Sequence, residues 1–343
     1  MLYVTTRRKE DAYTAPQAFG QERGPDGGLF VPLRMPRYTP KQIDALLSMG
    51  FSESAAAILN LFYPARLTAQ DMEAAIGIRP AALTAMSHRI IIAEMWRDPE
   101  KGLPQTARAL LKRIRGSEEV TDWARIVVRL AVLFGAFSLV KEKGIDIWKE
   151  PLDISVSSED FSAPMSAWYA RAMGLPVGNI LCACNDNSNV WDLFHYGQLH
   201  TNAVAAATST PDGDVAVPTD LERLIFETQG REEARRYCEV CRRGKVYQPP
   251  ESGIEGLRRG FFAAVVSQDR MENIIRSVYR GHGYVLGPYS ALAYGALQDY
   301  RAAVGEGRLA MLFAERGPLL DGETAARAMG MEARELSELL RAR

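Results

Sequence analysis

The sequence predicts an α/β protein with a parallel sheet, preceded by a mostly helical N-terminal region. The sheet is predicted from residues 152–184, where an apolar strand pattern at 152–156, a helical pattern at 163–173 and a second apolar strand pattern at 179–184 follow one another. This order is a βαβ unit, which requires parallel strands and a right-handed crossover. Helical and apolar segments then alternate to the end of the chain, as in other α/β folds.

The first 141 residues are predicted to contain one short strand and several helices. A helix is predicted to begin at Thr39. Threonine caps the first turn, Pro40 suits its first position and Gln42 completes a capping box. The helix near the middle of the chain carries a broad apolar stripe and is assigned to the core. The predicted elements are a strand at 2–5 and helices from 39 and at 52–62, 68–78, 107–114 and 122–141.

The second half of the chain alternates between helices and apolar strands. Helices are predicted at 220–228, 268–280, 289–304, 323–329 and 332–341, and strands at 261–266 and 309–314. We expect two domains, an N-terminal region at 1–85 and an α/β domain at 86–343.

Composition indicates a globular protein without an electrostatic preference for nucleic acid. Hydrophobic residues make up 47% of the 343 residues, charged residues make up 24%, and the formal net charge is −1. Neither a signal-peptide pattern nor about 20 uninterrupted apolar residues is visible. We therefore expect a cytoplasmic location, with no nucleic acid and no membrane as partners.

The cysteines and histidines offer only weak metal-site patterns. Cys182 and Cys184 form one close pair and Cys238 and Cys241 another, and these spacings would suit a thiolate site if the two pairs met. Buried thiols are the favoured interpretation, because the first pair lies on an apolar strand and the second on a helix. None of the four histidines has metal or triad spacing, and two of them are predicted to lie in a loop; the four are His88, His195, His200 and His282.

Several ordered motifs resemble the threonine synthase family of pyridoxal-phosphate enzymes. Residues 26–32 read D-G-G-L-F-V-P, residues 170–176 read A-R-A-M-G-L-P, and residues 281–288 read G-H-G-Y-V-L-G-P. All three are similar to family segments and occur in the family's order. The resemblance implies a fold of type II, like the β subunit of tryptophan synthase, with a three-layer core around a parallel sheet.

The chain departs from the family where the cofactor lysine is expected. The family segment W-H-G-P-T-x-A-F-K-D is matched by residues 96–105, and its lysine position falls on Pro104, which has no amine for a Schiff base. Lys101 is a weak alternative amine, although a surface turn is the plainer interpretation. Residues 116–121 lead almost directly into the next family helix, so most of the small cofactor-capping domain is expected to be missing.

The expected phosphate cradle differs as well. Where the family has V-P-T-G-N-F-G-N, residues 156–163 read V-S-S-E-D-F-S-A, so both glycines are replaced and Glu159 and Asp160 arrive near the phosphate position. A simple helix-capping role for these carboxylates is an open alternative. With Ser157, Ser158 and Ser290, they form the predicted remnant cleft.

These departures lead to three hypotheses. The first is a threonine synthase-like protein without pyridoxal-phosphate activity or bound cofactor, which acts as a binding, regulatory or partner subunit, with a protein partner, a homo-oligomer or a small-molecule ligand. The second is an enzyme of altered chemistry in the remnant cleft. The third is a divergent pyridoxal-phosphate lyase that uses Lys101.

Overall fold

The computed structural model describes residues 1–77, 82–87, 89–96, 98–305 and 307–342. Its strands are β1 Leu2–Thr5, β2 Tyr13–Thr14, β3 Phe30–Pro32, β4 Ala82–Ser87, β5 Ile90–Glu94, β6 Leu152–Ser157, β7 Val177–Cys184, β8 Leu199–His200, β9 Val246–Tyr247, β10 Phe261–Val265 and β11 Ala310–Ala314. Its helices are α1 Ala15–Gly20, α2 Pro40–Leu47, α3 Phe51–Phe62, α4 Ala69–Ile76, α5 Leu103–Arg115, α6 Asp122–Glu142, α7 Ser162–Ala172, α8 Asn189–Tyr196, α9 Leu221–Gln229, α10 Arg231–Arg242, α11 Glu251–Arg258, α12 Gln268–His282, α13 Pro288–Val304, α14 Gly322–Met329 and α15 Ala333–Arg341.

A six-stranded sheet forms the centre of the molecule, in the order β10-β7-β6-β11-β5-β4. All neighbouring strands are parallel except β4, which pairs antiparallel with β5 at one edge. The βαβ unit predicted from residues 152–184 is confirmed as β6, α7 and β7. Because parallel sheets are covered on both faces, the strands are apolar along most of their length, and every residue of β6 and β11 is buried.

The N-terminal region combines a three-stranded antiparallel sheet, β2-β1-β3, with helices α2 to α4. The predicted capping box of α2 is confirmed, since the Thr39 side chain accepts from the Gln42 amide and the Gln42 side chain accepts from the Thr39 amide. Buried residues of this region share one hydrophobic cluster with α6 and α7. The division at residue 85 stays a prediction.

Helix α6 is the long core helix of the protein. By length and composition it is the one helix among the described residues that could cross a membrane, but 89% of its apolar window is buried inside the protein. It packs against α3 on one side and α7 on the other. Its apolar stripe is therefore explained by core packing.

Most predicted elements are confirmed with shifts of a few residues at their ends. Helix α5 starts four residues before the predicted position, because Gly102 caps it and Pro104 fits its first turn. The loop predicted around His195 and His200 is wrong. His195 lies in α8, where its ring stacks on Trp191 at 4.2 Å between centroids, and His200 lies in β8.

The connection between α5 and α6 is as short as the sequence predicts. Helix α5 ends at Arg115 and α6 begins at Asp122, so no α/β unit is inserted between them. Within the described ranges, all parallel strands belong to the one central sheet. Residue 78, His88 and Arg97 lie outside the described residues.

Close packing of α6 against α3 gives a test of the fold. A Cβ atom added at Gly135 would lie 2.7 Å from Phe51 Cδ2 and 3.0 Å from the Phe51 carbonyl oxygen. We expect Gly135→Ala to lower the free energy of unfolding by about 1–3 kcal/mol, because overpacking outweighs the better helix propensity of alanine. Urea unfolding measures this change.

Gly281→Ala is the matched control, because Gly281 also lies in a helix and an added Cβ would meet no atom within 4 Å. Its stability should be unchanged or slightly higher. Equal stability of the two variants would contradict the described α3–α6 contact.

Candidate functional site

The candidate site lies at the carboxyl ends of β6 and β11, where open α/β sheets place their ligands. A cleft of about 620 Å³ opens here. Helices α5 and α6 form one wall, the β6–α7 turn and the residues after β11 form the floor, and the loop before α9 forms the other wall. The lining residues are Leu103, Pro104, Ala107, Arg108, Glu118, Glu119, Val120, Arg125, Val128, Arg129, Glu159, Asp160, Pro211, Asp212, Val215, Glu315 and Arg316.

The turn between β6 and α7 has an unusual backbone. Glu159 has φ +40° and Phe161 has φ +70°, a region that favours glycine. The turn therefore adopts a left-handed conformation at Glu159 although a side chain is present, which costs of order 1 kcal/mol or more and is retained only where surrounding contacts enforce it. The contacts of the Glu159 carboxylate supply that constraint.

Arg129 is the residue around which these contacts are arranged. It projects from α6 and is 5% exposed. Its Nε donates to both carboxylate oxygens of Glu315 at 2.9 and 2.8 Å, and its Nη2 lies 3.3 Å from Oε2 of Glu159. Its Nη1 donates to the Ser162 hydroxyl. Burial alone would lower the pKa of Arg129, but the two carboxylates together hold that pKa above its usual value.

The two carboxylates of the turn behave differently. Burial raises the pKa of Glu159 to about 7, against the opposing effect of Arg129 and Arg316. Burial also acts on Asp160, but Arg129, Arg125 and hydrogen bonds from Ser162 outweigh it and hold the pKa of Asp160 below its ordinary value. Near neutral pH, Asp160 is therefore ionised, whereas Glu159 is partly protonated.

A narrow recess of about 10 Å³ lies beside the cleft and shares Glu159, Glu315 and Arg316 with it. Ser157 and Ser290 also line it. The Ser157 hydroxyl is buried and has no hydrogen-bond partner in the described structure. The recess has room for about one water-sized group.

The loop over the recess is held by Arg316. Its guanidinium lies 4.2 Å from the centroid of the Tyr289 ring and forms an ion pair with Asp212. The backbone N–H of Asp212 also donates to the Tyr289 hydroxyl at 3.1 Å. These contacts fix the loop wall of the cleft.

The predicted remnant-cleft residues are largely brought together. Glu159 and Asp160 line the cleft, and Ser157, Glu159 and Ser290 line the recess. Ser158 is buried behind them, where its amide donates to the Ala183 carbonyl at 2.8 Å, and it lines neither space. The capping alternative holds in part, because Asp160 accepts from the Ser162 amide at the start of α7.

Of the two positions considered for a cofactor amine, Pro104 and Lys101, only Pro104 lines the cleft. Pro104 lines the cleft in the first turn of α5. Lys101 does not line it. Its side chain is 64% exposed, and its Nζ lies 3.6 Å from Oδ2 of Asp98 in the preceding turn.

The four cysteines are free thiols, two on a strand and two on a helix. Cys182 and Cys184 are buried in β7, and Cys238 and Cys241 are half-buried on α10. Burial raises the pKa of each thiol. Within the described ranges, no group of three or more His, Cys, Asp or Glu side chains is arranged to hold a metal ion.

Sequence reasoning missed the arginines and did not assign Glu315 to the site. The signal for Arg129 was present, because it interrupts the apolar stripe of α6, and a charged residue at a core position requires partners. Arg125 pairs with Asp160 from the same helix. Glu315 and Arg316 follow a buried strand directly, which places them at the ligand-binding edge of the sheet.

Comparisons with known proteins agree with this architecture. Residues 2–78 match the family described as threonine synthase N terminus. Human threonine synthase-like 1 is 24% identical over 184 residues, which cover 52% of this chain and 25% of that protein. Threonine synthase of Saccharomyces cerevisiae is 23% identical over 198 residues, which cover 53% and 38%. Residues 2–78 therefore match a threonine synthase family model, and about half of the chain resembles threonine synthases in sequence.

A solved structure extends the likeness in fold to the whole chain. The crystal structure of threonine synthase from Brucella melitensis with bound pyridoxal phosphate superposes with a TM-score of 0.83 at 19% identity, and covers 99% of this chain and 94% of that one. The predicted type II fold is thereby confirmed. The sequence match spans only about a quarter to two fifths of the curated relatives' length, so shared ancestry does not by itself assign an activity.

The ion cluster of Arg129 should be essential for stability. Replacing Arg129 with methionine leaves Glu159 and Glu315 buried without their shared cation, so we expect the free energy of unfolding to fall by about 3–5 kcal/mol at pH 8. Arg334→Met, at a side chain that is 89% exposed, is the control and should change it by less than about 0.5 kcal/mol. Similar urea midpoints for the two variants would contradict the described cluster.

Glu159 should also make stability depend on pH. The pKa of Glu159 in the folded state, about 7, lies above the ordinary value of 4.5, so the folded state binds more protons and the free energy of unfolding falls as pH rises between these values. This loss amounts to at most roughly 3 kcal/mol. Other buried carboxyl groups, such as Asp220, contribute a slope of the same sign.

The test compares urea unfolding of the parent chain and Glu159→Gln at pH 5 and pH 8. The variant should show a smaller decrease in stability than the parent, because its amide does not titrate. An unchanged decrease would show that Glu159 does not titrate in this range.

Proposed function

We propose that this chain is a threonine synthase-like protein that does not use pyridoxal phosphate, and that its cleft binds a small molecule in a binding or regulatory role. The observation that carries the proposal is the buried cluster of Arg129, Glu159 and Glu315, which fills the region where the family resemblance puts the cofactor. Three features of the site support it.

The first feature is the lack of an amine. A Schiff base requires a lysine beside the cofactor, and the resemblance aligns that position with Pro104. Pro104 lines the cleft, and no lysine of the described chain does so. Lys101, the nearest alternative in sequence, is directed to Asp98 at the surface.

The second feature is the charge of the turn that the resemblance aligns with the phosphate cradle. Asp160 is ionised at neutral pH, and Glu159 carries a partial negative charge. Two unit charges about 4 Å apart interact by roughly 4 kcal/mol at an effective dielectric constant of 20. A phosphate at this turn would therefore be repelled, and the arginines that could have offset this repulsion are already paired with protein carboxylates.

The third feature is the lack of space. The recess between Ser157 and Ser290 has about 10 Å³, which suits one water-sized group and not a substituted pyridine ring. The neighbouring cleft of about 620 Å³ is within the usual range for small-molecule sites. The recess therefore excludes the ring of the cofactor, and the cleft is the space that can hold the body of a ligand.

The proposal includes a partner and a location. A regulatory role requires that the chain bind another protein or a second copy of itself, and we propose that it does so in the cytoplasm.

A second candidate function is an enzyme of altered chemistry. It is favoured by the pKa of Glu159, raised to about 7 at the floor of the cleft, beside Asp160, whose pKa is held low. Neighbouring carboxyl groups with separated pKa values are typical of acid–base pairs. Turnover of a bound ligand that is abolished in Glu159→Gln would favour this candidate over a binding role.

Incubation with pyridoxal phosphate tests the leading proposal. We expect no absorbance band of a protein-bound internal aldimine and, after borohydride reduction, no single labelled lysine by peptide mass mapping. Lys101→Arg is the control for the surface amine. A stoichiometric adduct at Lys101 that disappears in this variant would overturn the proposal and support a divergent pyridoxal-phosphate lyase.

A further inference from the structure

We infer that the cleft takes a small organic cation, a primary amine with a compact apolar body, whose ammonium group enters the recess between Glu159 and Ser157. This inference rests on the proposed function, because it requires a recess free of cofactor. The groups that line the cleft and the recess indicate the chemical class of the ligand.

The charge of the lining favours a cation. Six carboxylates and four guanidinium groups line the cleft, which leaves a formal excess of two negative charges. Three of the four arginines are paired with carboxylates: Arg125 with Asp160, Arg129 with Glu159 and Glu315, and Arg316 with Asp212. At the recess, where Arg316 and the carboxylate partners of Arg129 lie, an anion would have to displace one of these carboxylates, whereas a cation needs no such exchange.

Two polar atoms of the recess have unused hydrogen-bonding capacity. The Ser157 side chain lines the recess, is only 8% exposed as a residue, and its hydroxyl has no partner in the described structure. Oε1 of Glu159 accepts no hydrogen bond from the described part of the chain, since Arg129 contacts Oε2. A buried hydroxyl without a partner is destabilising, so a donor that enters here is favoured.

An ammonium group matches the size and the chemistry of the recess. It is about as large as a water molecule and carries three donors and no acceptor. Glu159, Ser157 and Ser290 line the recess, and each side chain carries an oxygen that can accept a hydrogen bond. A ligand with one such group would satisfy the hydroxyl and place its charge beside the carboxylate.

The cleft accommodates the rest of the ligand. Leu103, Pro104, Ala107 and Val128 form an apolar surface on the α5–α6 wall, and Glu159, Glu315 and Arg316 are shared between the cleft and the recess. A short alkyl or ring body can lie on this surface while the ammonium group reaches the recess. A ligand without an apolar body would leave that wall in water.

The experiment uses the full chain at pH 8 with n-butylammonium chloride, sodium butyrate and inorganic phosphate at matched ionic strength. Thermal unfolding reports binding, because a ligand of the folded state raises the midpoint in a saturable way. We expect only butylammonium to do so. Saturable stabilisation by butyrate or phosphate, without stabilisation by the amine, would overturn the inference.

Three variants locate the binding. Glu159→Gln should weaken the apparent affinity for butylammonium at least about ten-fold and Ser157→Ala about three-fold, as for loss of a charged and a neutral hydrogen bond. Glu255→Gln, at an exposed position on α11, should leave it unchanged. Ser157→Ala keeps every charge, so it tests the site even if Glu159→Gln folds poorly. Undiminished affinity in Ser157→Ala and in any folded Glu159→Gln would overturn the placement.

The pH dependence gives an independent readout. Because the pKa of Glu159 is about 7 and the amine stays protonated, affinity should rise about ten-fold from pH 6 to pH 8. A flat profile would overturn the role of Glu159. If butylammonium fails to bind and pyridoxal phosphate gives no adduct, only this inference fails, whereas an adduct with pyridoxal phosphate overturns the proposed function itself.

Discussion

The buried guanidinium of Arg129 is the constraint on which the rest of the site depends. It joins α6, the β6–α7 turn and the residue after β11, three segments far apart in sequence. A charge that is 5% exposed cannot be left without counter-charges, so its position fixes where Glu159 and Glu315 must lie. The left-handed backbone at Glu159 occurs in the turn that brings its side chain to Arg129.

The carboxylates of the β6–α7 turn also act on the start of α7. The carboxyl edge of a parallel sheet faces helix N-termini, and in many α/β proteins an external anion satisfies them. Here Asp160 accepts from the Ser162 amide, so a side chain of the protein supplies the negative charge at the start of α7. The start of α7 therefore does not require an external anion.

The scaffold could be predicted from sequence because its signals are local. The capping box of Thr39 and Gln42, the stripe of α6 and the βαβ pattern each lie within one short window. Glu159 and Asp160 line the cleft in the structure, and their position directly after a predicted strand was enough to indicate this edge of the sheet. Helix ends were less predictable, as the early start of α5 at Leu103 shows, because a glycine cap is a weaker signal than a threonine cap.

The chemistry of the site was not predictable, because it depends on pairings across the fold. Arg129 and Glu315 are 186 residues apart, and no periodicity relates them. From the sequence alone, Glu159 and Asp160 predict only that a phosphate group would be repelled, because the arginines that pair with them are not known. Once Arg129 and Arg125 are placed, the same residues form an ion network at the floor of the cleft. In the proposed function, this one arrangement of charges both opposes an anion at the turn and favours a cation beside Glu159.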